Sequence, residues 1–240
     1  MKISYDLHLH SCLSPCGDQA MTPAMIAGIA AVSGLDVIAL TDHNSSKNCE
    51  AFLKACDHYG ILGIAGMEVN TIEEVHVICL FEHVKDALLF DEYVSSKLIK
   101  IRNDPMIFGK QLLCDEFDNV IGEEQNLLIN ATAISFDNLF ELMQRYHGVM
   151  IPAHIDKNAN SVLSNLGFLP EDSQFRCLEL RHKENYDQLA SIHSYMKECL
   201  VITNSDAHYV EHINNPINFL EVEEKSVKAI IKKLKGNNNS

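Results

Sequence analysis

The sequence lacks the marks of secreted, membrane-spanning and side-chain-nucleophile proteins. The amino-terminal residues MKISYDLHLH contain no apolar signal core, and the chain has no run of about 18 uninterrupted apolar residues. It has neither a glycine-rich phosphate loop nor a G-x-S-x-G nucleophile motif. We therefore expect a cytoplasmic protein without a membrane partner, and any hydrolysis it performs would use water as the attacking group.

Basic residues are also scarce. The chain has 19 Lys and Arg against 33 Asp and Glu, a net charge of -14, and no Lys/Arg-rich face is visible in the sequence. Binding of long duplexes depends on such cations to release counterions from phosphates, so we expect no duplex nucleic acid as partner. An acidic protein can still bind an anion through metal ions.

The eight cysteines form no paired C-x-x-C ladder, and in a reducing compartment most are expected to be small core residues. Cys12 and Cys16 are exceptions, because they lie close to the predicted site. Thiolate ligation of a metal remains an alternative for them.

Seven short apolar runs alternate with helical patterns, which is typical of a parallel sheet covered by helices. A helix is predicted from Pro23 to Ser33, with Thr22 as N-cap and Gly34 as the left-handed stop, and a second one from Lys47 to Tyr59. At 240 residues the chain fits one α/β barrel domain. The predicted strands are residues 3–8, 37–41, 62–67, 75–81, 149–154, 176–180 and 200–205.

The segment from about 84 to 147 interrupts this alternation. It is long, has a mostly helical pattern and contains no convincing strand, so we interpret it as an insertion or lid-like subdomain. The single domain is predicted to span residues 1–236, and residues 237–240 are expected to be a disordered tail.

Imidazoles and carboxylates follow or flank the predicted strands. In a βα barrel the carboxyl ends of the strands form the open mouth where functional side chains gather. Any one of these residues alone is more simply a hydrogen-bonded core residue, but together they would leave many buried polar groups in need of partners. Zinc, manganese or iron would satisfy them. The residues are His8, His10, Asp42, His43, Glu68, His76, His154, Asp206 and His208.

Six blocks of the sequence resemble, in order, the signature of the PHP (polymerase and histidinol phosphatase) superfamily. They are DLHLHS (6–11), TDHN (41–44), GMEVNT (66–71), VHVICLF (75–81), PAHID (152–156) and SDAH (205–208). The resemblance implies a distorted seven-stranded (β/α) TIM-like barrel, which agrees with the seven runs counted above. It also implies two or three divalent metal ions.

Carried over by position, the resemblance implies three metal sites. The first would use His8, His10, Glu68 and Asp206. Glu68 would bridge to a second metal held by His76 and His154, and a third would be held by His43 and His208 with one residue from the loop after the first strand. Counting back from Thr22 selects Asp18 for that place, whereas counting forward from His8 favours Cys16. We prefer Asp18, because a hard carboxylate suits the site.

A metal cluster of this kind predicts phosphate ester hydrolysis by activated water. Glu68 and Asp206 would be catalytic through the metals, and His208 could protonate the leaving group only if its own metal is absent. Asp42 is expected to orient an imidazole. Lys157, Arg181 and His182 follow strands and are candidates for contacts with substrate phosphate.

These residues favour a metal-dependent phosphoesterase acting on a small phosphorylated molecule, with a nucleotide or oligonucleotide end as the leading substrate. Histidinol phosphate and sugar phosphates remain open. A non-catalytic metal-binding or regulatory domain is the alternative from another class, and amide hydrolysis on a similar metal barrel is a third.

Overall fold

A computed structural model describes residues 1–170 and 174–236 of the chain. The strands are β1 (Lys2–Leu9), β2 (Val37–Leu40), β3 (Leu62–Asn70), β4 (His76–Phe81), β5 (Leu112–Cys114), β6 (Val120–Glu123), β7 (Gly148–Pro152), β8 (Cys177–Glu179), β9 (Leu200–Ile202) and β10 (Phe219–Glu221). The helices are α1 (Pro23–Ser33), α2 (Cys49–Tyr59), α3 (Val84–Lys97), α4 (Pro105–Phe108), α5 (Phe136–Arg145), α6 (Val162–Asn165), α7 (Tyr186–Ile192) and α8 (Val227–Leu234).

Each of the seven predicted strands is present, but they do not form one seven-stranded parallel barrel. A six-stranded sheet has the order β10-β1-β2-β3-β4-β7. Its β1-β2 and β2-β3 pairs are parallel, whereas β4 runs antiparallel to both β3 and β7. The prediction was wrong on this point because a short apolar run has no readable direction, and the tight connection between β3 and β4 permits a hairpin.

The parallel pair β8-β9 forms a separate small sheet between β7 and β1. Ile155 N, just beyond β7, donates to Glu179 O on β8 at 2.9 Å. On the other side Leu9 of β1 forms an isolated parallel bridge with Ala207, beyond β9. The result is a curled mixed sheet compatible with a TIM-like barrel.

Helices α1 and α2 follow the sequence pattern closely. Helix α1 has the predicted bounds and ends at Gly34, whose φ of 84° is left-handed. Helix α2 ends in the same way at Gly60, with φ of 72°. The Thr22 side chain makes no capping hydrogen bond, so that part of the prediction was wrong; Pro23 still occupies the first helical turn.

Two apolar clusters flank the sheet. The outer one joins the sheet to its covering helices, with Ile26, Phe52 and Phe90 fully buried. The inner one fills the space enclosed by the strands and includes Leu7 and Ile151. Successive side chains along each strand therefore point alternately toward the covering helices and toward the enclosed core. The site lies where the side chains on the inner face become polar.

The segment 84–147 is not mostly helical, contrary to the prediction. Helices α3 and α5 pack on the sheet as ordinary covering helices, while the stretch between them contains the antiparallel β5-β6 hairpin. This stretch crosses the rim of the strands: Leu112 N donates to Cys12 O at 2.8 Å, and Thr132 N donates to Asn70 O at 2.8 Å. The lid-like role stays a prediction, and the tail at 237–240 lies outside the described residues.

Within the residues that the structure describes, no helix is both long enough and apolar enough to cross a membrane.

Candidate metal centre

The predicted donors converge on one carboxylate, Glu68. Ring nitrogens of five buried histidines lie 3.0–3.4 Å from its two oxygens: His8, His10, His43, His76 and His154. Asp206 Oδ1 lies 3.5 Å from His8 Nε2 and 3.4 Å from His10 Nε2. Every predicted ligand except Asp18 therefore belongs to one cluster, since His208 stacks on His10 with ring centroids 4.2 Å apart.

Strand alternation explains how Glu68 and His76 face each other. On β3, Ile64 packs in the inner cluster, and Glu68 is four residues further along the same face. On β4, Ile78 is an inner residue and His76 is two residues before it. Because β4 is antiparallel to β3, its first residue lies at the same rim as the last residues of β3. His76 therefore lies in the site although it is the first residue of its strand, whereas the parallel strands contribute residues from their carboxyl ends.

Two other histidines reach the site because the alternation is broken. Leu7 belongs to the inner cluster, and the register between β1 and β2 shifts between Asp6 and Leu9, so His8 faces inward as well. Ala153 is also an inner residue, so regular alternation would direct the side chain of His154 outward. His154 instead has a left-handed backbone with φ of 31°, and its Nε2 lies 3.2 Å from Glu68 Oε1. Such backbone conformations cluster at functional sites.

Glu179, which the sequence analysis missed, fixes the tautomer of His8. Both carboxylate oxygens of this buried residue lie 3.1 Å from His8 Nδ1. They also accept from His154 N and from Asn204 Nδ2, each at 2.8 Å. The carboxylate holds the proton of His8 on Nδ1, which leaves the Nε2 lone pair facing Glu68 and Asp206. A charged residue within the apolar stretch RCLEL was the signal available.

His10 is oriented through a serine. The Ser14 hydroxyl donates to Asp42 Oδ1 at 2.7 Å, so its oxygen accepts from His10 Nδ1 at 3.0 Å. Asp42 also accepts from the backbone and hydroxyl of Ser11. The expected role of Asp42 is thus exerted through Ser14 and not by direct contact. The Nε2 atom of His10 lies 3.2 Å from Nε2 of His8.

The ring of His208 is also oriented by an acceptor at Nδ1. Its Nδ1 lies 2.8 Å from the backbone oxygen of Asp206. A carbonyl only accepts, so the proton is on Nδ1 and the Nε2 lone pair is available as a ligand. Asp206 itself has a left-handed backbone with φ of 54°, and it holds the 205–208 turn at the open edge of the cluster.

The spacing of these donors fits divalent metals. A tetrahedral ion with bonds of about 2.0–2.1 Å holds its ligand atoms roughly 3.3–3.4 Å apart, and the contacts among His8, His10, Glu68 and Asp206 are 3.2–3.5 Å. Lone pairs and carboxylate oxygens that converge in this way repel one another unless a cation lies between them. Buried His43 Nδ1, Glu68 Oε2, His76 Nε2 and His154 Nδ1 also lack hydrogen-bond partners.

Three groups of donor atoms are close enough to hold an ion each. They are His8, His10 and Glu68; His43, Glu68 and His76; and His10, His43 and His208. The first matches the implied first metal, with Asp206 beside it. The second contains Glu68 and His76 as expected, and His154 Nε2 lies next to the shared Glu68 Oε1.

The electrostatics of the centre favour an ionised Glu68 and a neutral His76, whereas the pKa values of His8, His10 and His43 are raised despite their burial, because negatively charged neighbours including Glu68 favour the protonated ring. Burial raises the pKa of Glu68, but the neighbouring His76 and His8 more than compensate and hold that pKa well below its usual range. Burial lowers the pKa of His76 to about 4, against the attraction of Glu68. Metals bind carboxylate and neutral imidazole, so these two groups are ready to ligate at neutral pH.

The loop after β1 places Cys16, and not Asp18, at the cluster. The exposed Asp18 carboxylate accepts from Ala20 N at 2.8 Å. Partial burial raises the pKa of the Cys16 thiol, but the neighbouring His43 and His208 lower it to about 5.

The predicted substrate contacts lie at the same rim. Lys157 Nζ lies 2.8 Å from Asp206 Oδ2. Arg181 and His182 are exposed, and their backbone N–H groups donate to Asp156 at 2.7 and 3.0 Å. The structure thus brings Lys157 to the cluster and leaves the other two side chains in solvent.

The model of the PHP domain family matches residues 6–234 of the chain, whereas no curated protein matches it in sequence. Among solved structures, the lesion-specific endonuclease PfuEndoQ from Pyrococcus furiosus is similar with a TM-score of 0.70 and 20% identity over 100% of this chain. A proposed metal-dependent phosphoesterase from Bifidobacterium adolescentis is similar with a TM-score of 0.63 and 16% identity, over 95% of each chain. At such identities the likeness shows a shared fold.

A complex of Endonuclease Q with a 27-mer duplex carrying an abasic lesion is also similar, with a TM-score of 0.66 and 18% identity over 100% of this chain. The chain spans 57% and 58% of the two endonuclease structures. These neighbours overturn the expectation that duplex nucleic acid is excluded. That expectation rested on the net charge of the whole chain, which does not describe the local charge at the open edge of the cluster.

Proposed function

The chain belongs to the PHP domain family, and from that premise we propose that it is a metal-dependent phosphoesterase that cleaves a phosphate ester in a nucleic acid strand or at its end. The coordinating cluster of Glu68, Asp206 and the buried histidines is the observation that carries this proposal. The substrate class is supported by the shape and charge of the open edge of the cluster.

The cluster is accessible from one side. The side chains of Asp206 and His208 are 22% exposed and that of Lys157 is 30% exposed, whereas the side chains of Glu68 and the remaining histidines are at most 7% exposed. A phosphate can therefore approach the cluster past Asp206, His208 and Lys157. The deep donors are left to hold metals.

His8, His10, Glu68 and Asp206 would hold one metal, and Glu68, His76 and His154 a second, with His43 next to both. Bound divalent ions would supply Lewis acidity and lower the pKa of water for attack on phosphorus. Glu179, Ser14 and the Asp206 carbonyl hold the imidazole protons away from the centre. The protein thus presents preformed lone pairs to the metals.

Lys157 is the cation placed to receive the substrate. Its ammonium pairs with Asp206 Oδ2, and a second of its three donors can reach a phosphate oxygen at the same edge. Asp156 holds the loop that carries Arg181 and His182 by accepting their N–H groups. This loop supplies two further exposed basic groups at the rim.

The segment 97–110 offers a surface for a strand leading to the site. It carries four exposed basic residues and one carboxylate, in a chain of net charge -14. Exposed apolar side chains lie in the same segment, including Met106, Ile107 and Phe108, which are 93%, 71% and 41% exposed. Gly109 lies against Pro15, in the loop that borders the cluster. Cations for phosphates and apolar groups for bases are the pattern that binds nucleic acid strands.

The proposal is tested by release of product from a matched panel. We would load the protein with manganese or zinc and supply duplex DNA with and without an abasic site, single strands, 5′- and 3′-phosphorylated oligonucleotides, nucleotides, histidinol phosphate and sugar phosphates. Turnover confined to the polynucleotides supports the proposal. Turnover confined to a small phosphate ester would refute the substrate class, and metal binding without any turnover would favour a regulatory domain.

A further inference from the structure

A second cavity, of about 410 Å³, lies at the end of the strands opposite to the metal centre. It is lined by Gly148 and Val149, the first residues of β7, and by Arg176, which directly precedes β8. The metal-centre residues His154 and Glu179 lie at the other ends of these two strands. This distal cavity is therefore separate from the phosphoesterase site.

The inner surface of the distal cavity is apolar. Helix α5 contributes Phe140 and Met143, helix α8 contributes Ile231, and buried Phe175 lies beside them. Gly148 lets α5 approach β7 closely, because a Cβ there would lie 2.8 Å from Met143 Sδ. The volume is within the range of about 300–1,000 Å³ that is typical of small-molecule sites.

Positive charge borders this apolar surface. Among the described residues that line the cavity, four are cations and only Glu82 is an acid. Lys228, Lys232 and Lys235 follow one another at helical spacing along α8 and its carboxyl end, so they share one face of that helix with Ile231. In a chain of net charge -14 this is a local excess of positive charge.

The fourth cation, Arg176, is held in place with most of its donors unused. Its Nη1 donates to Phe175 O at 3.0 Å and to the Tyr195 hydroxyl, and its guanidinium carbon lies 5.6 Å from the centre of the Tyr195 ring. Within the part of the chain that the structure describes, its Nε and Nη2 have no hydrogen-bond partner and no carboxylate pairs with it. A guanidinium fixed in this way can bind an anion with little further loss of side-chain freedom.

The lysines are only partly neutralised. Lys232 pairs with exposed Glu223 at 3.1 Å, whereas exposed Lys228 forms no ion pair with any described residue. Burial lowers the pKa of Lys235, and the charge of Glu82 does not compensate for it. An anion in the cavity would supply the negative charge that these groups lack.

We propose that the distal cavity binds a small organic anion, whose acidic group contacts Arg176 and the lysines of α8 while its apolar body lies against Phe140, Phe175 and Ile231. A carboxylate or a phosphate can accept two parallel hydrogen bonds from a guanidinium. The metal centre takes no part in this binding, so the inference does not depend on the proposed function.

The experiment is a fluorescence titration of the metal-free full chain with anilinonaphthalene sulfonate, an anion with an apolar aromatic body that fluoresces in apolar surroundings. Arg176→Gln should weaken binding about tenfold, because it removes a fixed charged donor, and exposed Lys228→Met about threefold. The matched control is Lys233→Met, which removes a charge from the same helix away from the cavity and should not change the affinity. The neutral N-phenylnaphthylamine should bind about tenfold more weakly than the sulfonate.

A wild type that does not bind the dye, or that binds the neutral compound equally well, would overturn the proposal. Wild-type affinity in Lys228→Met would do so even if Arg176→Gln failed to fold. Zinc should leave dye binding unchanged, and displacement of the dye by zinc would assign it to the metal centre instead. Displacement by decanoate or by adenosine monophosphate would identify an alkyl carboxylate or a nucleoside phosphate as the ligand, and displacement by neither would refute the ligand class. Absence of phosphoesterase activity would count against the proposed function alone.

Discussion

Replacement of Glu179 by Gln tests whether the buried carboxylate behind His8 prepares the metal centre. All of its partners are donors: His8 Nδ1, His154 N and Asn204 Nδ2, at 2.8–3.1 Å. A glutamine fills the same space, but its amide nitrogen must face one of these donors. One buried donor then loses its acceptor, which costs about 1–3 kcal/mol.

The same change should weaken metal binding. Burial raises the pKa of Glu179, but the charge of His8 lowers it by more. The carboxylate is therefore an anion that holds the proton of His8 on Nδ1. Loss of such a partner typically reduces metal affinity about 10- to 100-fold, or roughly 1.4–2.7 kcal/mol. We would measure zinc affinity by competition with a chromophoric chelator. The control is Glu184→Gln, whose side chain is 77% exposed and 3.8 Å from His182.

Wild-type zinc affinity in Glu179→Gln, within about twofold, would refute the reasoning that the carboxylate sets the His8 tautomer. A fall in affinity equal to that of Glu184→Gln would do the same. Loss of thermal stability without loss of affinity would assign Glu179 to folding alone.

Three further predictions concern the rim and the strands. Lys157→Met should raise KM about tenfold with unchanged metal content, because the phosphate loses a charged donor but the metals lose none; an unchanged KM in steady-state kinetics would exclude substrate contact. Burial raises the pKa of Asp6 from 3.8 to about 6, so this group contributes stability below about pH 4 that is lost as the pH rises through 6. The free energies of unfolding of wild type and Asp6→Asn in urea should therefore differ by an amount that changes by about 3 kcal/mol between pH 4 and 7. Asn44→Ala removes bonds at 2.7 and 2.8 Å to the backbone of 128–130, and hydrogen exchange there should accelerate while β1 stays protected.

Local sequence signals predicted the elements that local physics decides. The bounds of α1 follow from Pro23 and Gly34, whose backbone preferences act within one turn. The spacing of His8 and His10 placed both rings on one face, as found. Strand ends also indicated where most of these imidazoles and carboxylates meet, although His8 and His154 reach the cluster through local departures from strand alternation.

Longer-range features could not be read in this way. The direction of β4 depends on its partners β3 and β7, and no residue within the strand encodes it. The choice between Asp18 and Cys16 depends on a turn fixed by the approach of Gly17 to the backbone of Ser11. Glu179 became meaningful only when β8 was seen beside His8, since its role arises from a contact 171 residues apart in the chain.

The most direct test of the account is the metal content of Glu68→Gln beside that of the wild type, determined by elemental analysis of protein purified with added zinc, together with product release from the preferred substrate. Glu68 contacts five histidines, so we predict two or three ions per chain in the wild type, the loss of at least two in the variant, and no turnover. A variant that keeps the wild-type number of ions and hydrolyses at the wild-type rate would contradict the central role of Glu68 in the centre.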